Sequence, residues 1–174
     1  MNMAFIFHPV ATVKNSRQDQ SDDFWGNIIS EIELVENIPA EAFDGIDEFS
    51  HLEIIFHFDK ADKTKIVFHG HPRGNKDWPS VGIFAQRKKD RPNGIGLTIV
   101  ELVKREGNKI WVKYLDAIDG TPILDIKPVL KEFLPPAAIK QPQWSHELWK
   151  KLMKCWMRLL LITPAISLKK RRSS

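Results

Sequence analysis

From Phe5 to Pro128 the apolar residues of this chain come in short runs, closed by Gly, Pro, Asn or Asp, with no regular helical pattern between them. That pattern decides most of what the chain can become. Parallel strands need a crossover of a dozen or more residues, usually a helix, whereas antiparallel strands need only a turn. A doubly wound sheet is therefore excluded, and an antiparallel barrel or sandwich remains.

The runs follow in order. Phe5 to Val13 is expected as an opening strand, and Ile28 to Val35 alternates as a half-buried strand. A connection with one short helical turn, around Pro39 to Phe43, leads to His51-Leu52-Glu53-Ile54-Ile55-Phe56-His57-Phe58, dense in β-branched and aromatic residues. Ala61 to Pro79 is a loop-rich excursion with a small strand at Ile66 to Phe68 and a basic, mobile stretch from His69 to Lys76. Strands are then expected at Val81 to Gln86, Ile95 to Lys104 and Lys109 to Leu115, the last two joined by a turn at Glu106-Gly107-Asn108. In the loop before Ile28, Asp22, Asp23, Phe24 and Trp25 either line a pocket or plug the space under the loop. His51 and His57 share one strand face, and His69 and His71 form a His-x-His pair. Neither pair has a third ligand at a telling spacing, so no metal site is expected.

Composition changes after Pro128. Pro135-Pro136 makes a break, and Trp144 to Ile162 reads as an amphipathic helix with Leu148, Trp149, Leu152, Met153, Trp156, Leu159 and Leu160 on one stripe. Two domains are expected: a barrel over 1–135, and a C-terminal helix with a basic tail over 136–174. From Lys140 onward there are nine Lys or Arg against Glu147 alone, so the net charge of +4 hides an acidic body and a basic end. The tail is either a solvated end or a surface for an anionic partner. A single cysteine, Cys155, excludes an internal disulfide and a cysteine-rich metal site, and fits a reducing compartment. No signal peptide is expected at Met1 to Phe7, and no apolar run approaches the roughly 20 residues that span a bilayer. A cytoplasmic location without stable membrane insertion is the expectation.

The Rossmann glycine fingerprint, the Walker phosphate loop and the Gly-x-Ser-x-Gly elbow are all missing. Chemistry concentrates instead on two turns. Arg87-Lys88-Lys89-Asp90-Arg91 puts four cations into five residues, ahead of Pro92-Asn93-Gly94, where a locked φ meets a step tolerant of positive φ. Such a loop can bind a carboxylate or a phosphate. Asp116 and Asp119 bracket the entry to Asp119-Gly120-Thr121-Pro122, whose acceptors suit ribose hydroxyls or an amino group. Taken separately, each reads equally well as a structured turn or as a binding loop; together they complement a zwitterionic ligand that carries a ribose.

At these residues the chain resembles the TsaA-like/TrmO family of tRNA N6-threonylcarbamoyladenosine methyltransferases. The matching positions are Gly82, Phe84, Ala85, Arg87, Arg91-Pro92-Asn93 and Ile95-Gly96, then Leu115-Asp116, Asp119 to Pro122 and Asp125 to Pro128. Gly45-Ile46 and Phe49-Ser50-His51-Leu52 match upstream, and the similarity runs from about Phe7 to Pro135. The resemblance implies a mainly β chain, a closed or nearly closed antiparallel single-sheet β-barrel that binds S-adenosyl-L-methionine and acts on tRNA as a homodimer. It places the cofactor on Asp59, Lys60, Arg87, Leu97, Asp116, Ala117, Ile118 and Asp119, and the substrate on Arg91, Asn93 and Lys127. It names no catalytic base; Asp119 is the nearest guess.

Departures from the family pattern bear on the substrate more than on the cofactor. Gly94 replaces a proline, which is expected to loosen its loop. Gln86 and Lys88 replace threonine and serine, and Val129 replaces a tyrosine. The family's Pro-Arg-Gln element has only a loose counterpart in Ser16-Arg17-Gln18. Longer bacterial members carry a C-terminal domain where this chain has a helix and tail. The leading expectation is an S-adenosylmethionine-dependent tRNA methyltransferase; the alternative is a non-catalytic module of the same fold that binds the cofactor or RNA.

Overall fold

The structure is a computed structural model that describes residues 4–19 and 28–150. The acidic-aromatic loop at Asp22 to Trp25, the apolar stripe beyond Lys150, Cys155 and the basic tail lie outside the described residues.

Six strands close an antiparallel barrel: β1 (Ala11–Lys14), β2 (Ile29–Leu34), β3 (His51–His57), β6 (Ile95–Glu106), β7 (Lys109–Lys113) and β8 (Pro122–Pro128), in the order β1-β2-β7-β6-β3-β8. Two further short strands, β4 (His69–Gly70) and β5 (Val81–Gly82), pair as a separate hairpin in the excursion between β3 and β6. Alternation puts Leu52, Ile54 and Phe56 of β3 inside, with Ala11, Val13, Ile32, Val100, Ile110, Val112 and Ile123 filling the same core. Burying each large side chain contributes about 1.5–3 kcal/mol. His51 and His57 therefore fall on the outer face, as rim histidines; His51 Nδ1 meets Ser50 Oγ at 2.8 Å.

Several strand boundaries differ from the sequence reading. Phe5, Ile6 and Phe7 are exposed and lie outside β1, whose ladder with β2 and β8 runs over residues 11–14, with Val10 bonded to Ile123 and Val35 just ahead of it. The expected strand at Ile66 to Phe68 is displaced to His69–Gly70, and the strand at Val81 to Gln86 stops after Gly82, where Ile83–Ala85 curl into a 3-10 turn. The stretch from His69 to Lys76 is built rather than loose: His69 Nδ1 meets Ser80 Oγ at 3.0 Å, and His71 Nδ1 meets the Trp78 carbonyl at 2.7 Å. Pro122–Pro128 forms β8, which closes the barrel between β1 and β3.

The chain divides into two compact units, 1–140 and 141–174. In the second, residues 143–150 are helical, and the Ser145 hydroxyl donates to the Pro142 carbonyl at 2.7 Å. Among the described residues no helix is long and apolar enough to cross a membrane.

Candidate active site at one end of the barrel

Antiparallel closure brings the C-terminal ends of β1, β3 and β7 to the same barrel end as the N-terminal ends of β6 and β8. Residues 15–19, 58–60, 87–94 and 114–121 therefore converge there, although they are scattered over a hundred positions of sequence. The two overcharged turns belong to two of these loops.

Asp119 is the node. Its Oδ1 accepts from the Asn15 backbone N–H at 3.0 Å, its Oδ2 from Gln18 Nε2 at 3.4 Å, and its own N–H donates to the Arg17 carbonyl at 2.7 Å. Lys60 Nζ reaches across from the loop after β3 and donates to the Asp119 carbonyl at 2.9 Å. Asn15 Nδ2 donates to the Ala117 carbonyl at 3.0 Å and to the buried Ser30 hydroxyl at 3.0 Å. The Arg17 side chain, 9% exposed, lies 3.5 Å from both Asp116 Oδ1 and the Ala117 carbonyl. A guanidinium stripped of that much water is stabilised by the carboxylate and carbonyl oxygens that surround it.

The loop before β6 reaches the same barrel end. Arg87 is exposed and its Nη2 donates to the Leu97 carbonyl; Arg91 Nη1 donates to the Gln86 carbonyl at 3.3 Å. Gln86 itself ties the loop to the β4–β5 hairpin, its Nε2 donating to the carbonyls of Gly70 at 3.1 Å and Val81 at 3.0 Å. Asn93 and Gly94 both adopt positive φ, +64° and +58°. The Gly94 N–H donates to the Arg91 carbonyl, and its carbonyl accepts from Phe58 N–H at 2.8 Å. The glycine therefore lets the loop turn in a way closed to proline, and its carbonyl ties the loop to the end of β3.

Asp59, Lys60, Arg87 and the Asp116, Ala117, Ile118 and Asp119 run all lie on the converging loops, and Leu97 is on the first turn-proximal stretch of β6. Arg91 and Asn93 are on the same loop as Arg87. Lys127 is set apart: it lies toward the other end of β8, on the outer wall opposite Glu53, ion-paired to Asp125. The hydrogen bond to that carboxylate, its charge and then Glu53 hold the Lys127 ammonium above its ordinary value, against the effect of burial. Val129 lies beyond β8, its N–H donating to the His51 carbonyl at the barrel's other end. Asn15, Arg17 and Gln18 are the site residues that the sequence reading passed over; the loose Ser16-Arg17-Gln18 likeness was their one signal. Among the described residues, no group of three or more His, Cys, Asp or Glu side chains is placed to hold a metal.

A closed six-stranded antiparallel barrel with an Arg, Lys, Asp and backbone cluster at one end defines a class of small β-barrel proteins distinct from Rossmann-type folds. Residues 14–133 match the family described as the tRNA-methyltransferase O N-terminal domain, and the chain belongs to that family. Two crystal structures of TrmO from Pseudomonas aeruginosa share the fold with TM-scores of 0.67 and 0.64, each at 25% identity, covering 83% and 82% of this chain and 63% of theirs. A probable S-adenosyl-L-methionine-binding protein of Pyrococcus abyssi is 40% identical over 94 residues, 54% of this chain and 49% of its own length. The human tRNA (adenine(37)-N6)-methyltransferase is 39% identical over 110 residues, 61% of this chain and 24% of that one. An S-adenosyl-L-methionine-binding protein of Archaeoglobus fulgidus is 34% identical over 128 residues, 70% of this chain and 87% of its own. The chain thus spans about half of the Pyrococcus relative and about a quarter of the human one.

Proposed function

We propose that this protein is an S-adenosyl-L-methionine-dependent tRNA methyltransferase that modifies N6 of threonylcarbamoyladenosine beside the anticodon. The observation that carries the reading is the convergence at Asp119, which joins the loops after β1, β3 and β7 at the barrel end that also receives the Arg87 loop. Family membership supports it, as do relatives named for this cofactor and for tRNA adenine-N6 methylation.

The residues suit the cofactor by their chemistry. Arg87 offers a fork of donors for the methionine carboxylate, Asp116 and Asp119 with the backbone carbonyls between them offer acceptors for amino and ribose groups, and half-exposed Leu97 offers apolar surface for a purine. Held there by Arg87, Asp116 and Asp119, the cofactor would supply an electrophilic methyl group for the acceptor nitrogen. The protein's part is orientation: fixing donor and acceptor in line converts an encounter into a unimolecular step. Asp119 is a poor choice of base, since both of its carboxylate oxygens accept hydrogen bonds from the β1 loop. It is better suited to shaping the pocket.

A homodimer and a cytoplasmic location belong to the same proposal. Ile95 and Ile99, exposed on β6 to either side of Leu97, are a surface that a second copy would cover. Calorimetric titration with S-adenosylmethionine tests the pocket: Arg87→Ala and Asp119→Asn should each weaken binding at least tenfold. Unchanged affinity in both would remove the assignment. The second reading, a cofactor-binding module without transfer, is favoured by the engaged state of Asp119 and predicts binding with no labelled product on any tRNA.

A further inference from the structure

The excursion between β3 and β6 has an electrostatic character opposite to that of the barrel it grows from. Residues 61–94 carry eight Lys or Arg against three Asp or Glu, whereas the other residues of 1–140 carry ten against eighteen. The two regions differ in net charge by thirteen, so the excursion is a positive lobe on an acidic body. Its cations Lys63, Lys65, Arg73 and Lys76 are exposed, on segments distinct from the Arg87–Arg91 loop.

The same lobe leaves two aromatic rings in water. Trp78 and Ile83 are buried, so the excursion already has an apolar interior of its own. Phe84 is nevertheless 82% exposed and Phe68 66% exposed. Their segments are joined: Ile83 N–H donates to the Phe68 carbonyl at 2.9 Å, and the β4–β5 hairpin begins at the next residue. Phe84 sits in the 3-10 turn that leads directly into Gln86 and Arg87, so the exposed ring adjoins the Arg87 loop in sequence.

Exposed aromatics set among cations fit one ligand chemistry well: RNA with unpaired bases. Phosphates supply the countercharge, and each unstacked base has a face to lay on a ring. We propose that residues 61–94 form an RNA-docking lobe in which Phe84 and Phe68 stack on unpaired loop bases while Lys63, Lys65, Arg73 and Lys76 track the backbone. This rests on the reading of the protein as a tRNA enzyme and adds how the substrate is held. The lobe reads single-stranded character, and the barrel end supplies the chemistry.

The test uses the full chain, a hairpin RNA with an unpaired loop, and a fully paired duplex of the same stem, titrated at several salt concentrations. Phe84→Ala and Phe68→Ala should each weaken hairpin binding by about five- to a hundredfold, leave duplex binding alone and keep the salt slope. Phe84→Trp should restore hairpin affinity. Lys63→Glu and Lys76→Glu should weaken hairpin and duplex alike and flatten the salt dependence by roughly one unit of slope per site. Wild-type hairpin affinity in both phenylalanine variants overturns the proposal. So does a Phe84→Ala protein that keeps its RNA affinity but changes from dimer to monomer in sedimentation, because the occupant would then be a second copy. These assays contain no methyl donor. Loss of the lobe with intact methyl transfer would overturn this inference alone, whereas lobe-dependent RNA binding without cofactor binding would overturn the methyltransferase reading alone.

Discussion

The ammonium of Lys60 is hydrogen-bonded to the carbonyl oxygen of Asp119 at 2.9 Å, joining the loop that leaves β3 to the loop that enters β8. The two residues are 59 positions apart, and the bond is exposed at the barrel end rather than buried in the core. Lys60→Met should therefore act on binding more than on stability. Affinity for S-adenosylmethionine should fall about three- to tenfold, while the thermal midpoint stays near wild type, as befits an exposed contact. Calorimetry and a melting curve on the same preparation separate the two effects. A large drop in melting temperature with normal affinity would reverse the assignment.

Gly94 makes a prediction that runs against its family pattern. Proline stands at this position in the pattern, so Gly94→Pro looks like a repair. Here the residue has φ +58°, and proline is locked near −65°. The substitution also removes the N–H that donates to Arg91. It should destabilise the protein by about 1–3 kcal/mol, measured by denaturant unfolding. Stabilisation would mean that the loop readily takes the proline geometry.

Gly96 is required for a different reason. A Cβ built there would collide with Phe56 Cε2 and lie 2.5 Å from Cζ. The Phe56 ring is buried and packed edge-on against Phe58, with centroids 5.2 Å apart, so it has no room to retreat. Gly96→Ala should cost about 1–3 kcal/mol by overpacking. Gly107→Ala in the β6–β7 turn meets nothing within 4 Å and should cost only the smaller strain of a positive φ, about 1 kcal/mol. Equal losses for the two would show that Phe56 repacks.

The sequence showed the barrel through its alternation. β3 reads almost to the residue because Leu52, Ile54 and Phe56 fall on one face and bury fully. β8 was hidden because prolines bound it and Asp125 and Lys127 interrupt it; only the neighbouring β1 and β3 make it a strand. Phe5 to Phe7 failed in the opposite sense: they are strand-forming residues that pair with no strand among the described residues. The two charged turns were visible as local motifs. Their junction with Asn15, Arg17 and Gln18 was not, since Asn15 and Asp119 are 104 positions apart and only barrel closure brings them together.

Asp62 opens the excursion and gives a pH signature. Its carboxylate accepts from the Thr64 hydroxyl at 2.6 Å and the Thr64 N–H at 2.9 Å, and pairs with Lys65 at 3.0 Å. These contacts, the Thr64 hydroxyl foremost, lower its pKa from 3.8 to about 2. A depressed carboxylate supports this turn above its unfolded value and loses that support as pH falls from 3.8 towards about 2. NMR titration should find the Asp62 midpoint near the lower value, and Thr64→Val should move it upward. A midpoint at the ordinary aspartate value in the wild type would show that the turn is open in solution.

The central claim is that the barrel end transfers a methyl group to tRNA. The direct measurement incubates the full chain with S-adenosylmethionine labelled in its methyl group and with tRNA that carries unmethylated threonylcarbamoyladenosine, followed by digestion and nucleoside separation. The account predicts that label elutes with the N6-methylated threonylcarbamoyladenosine nucleoside and disappears with Arg87→Ala. Label on another nucleoside, or none despite tight cofactor binding, would contradict it.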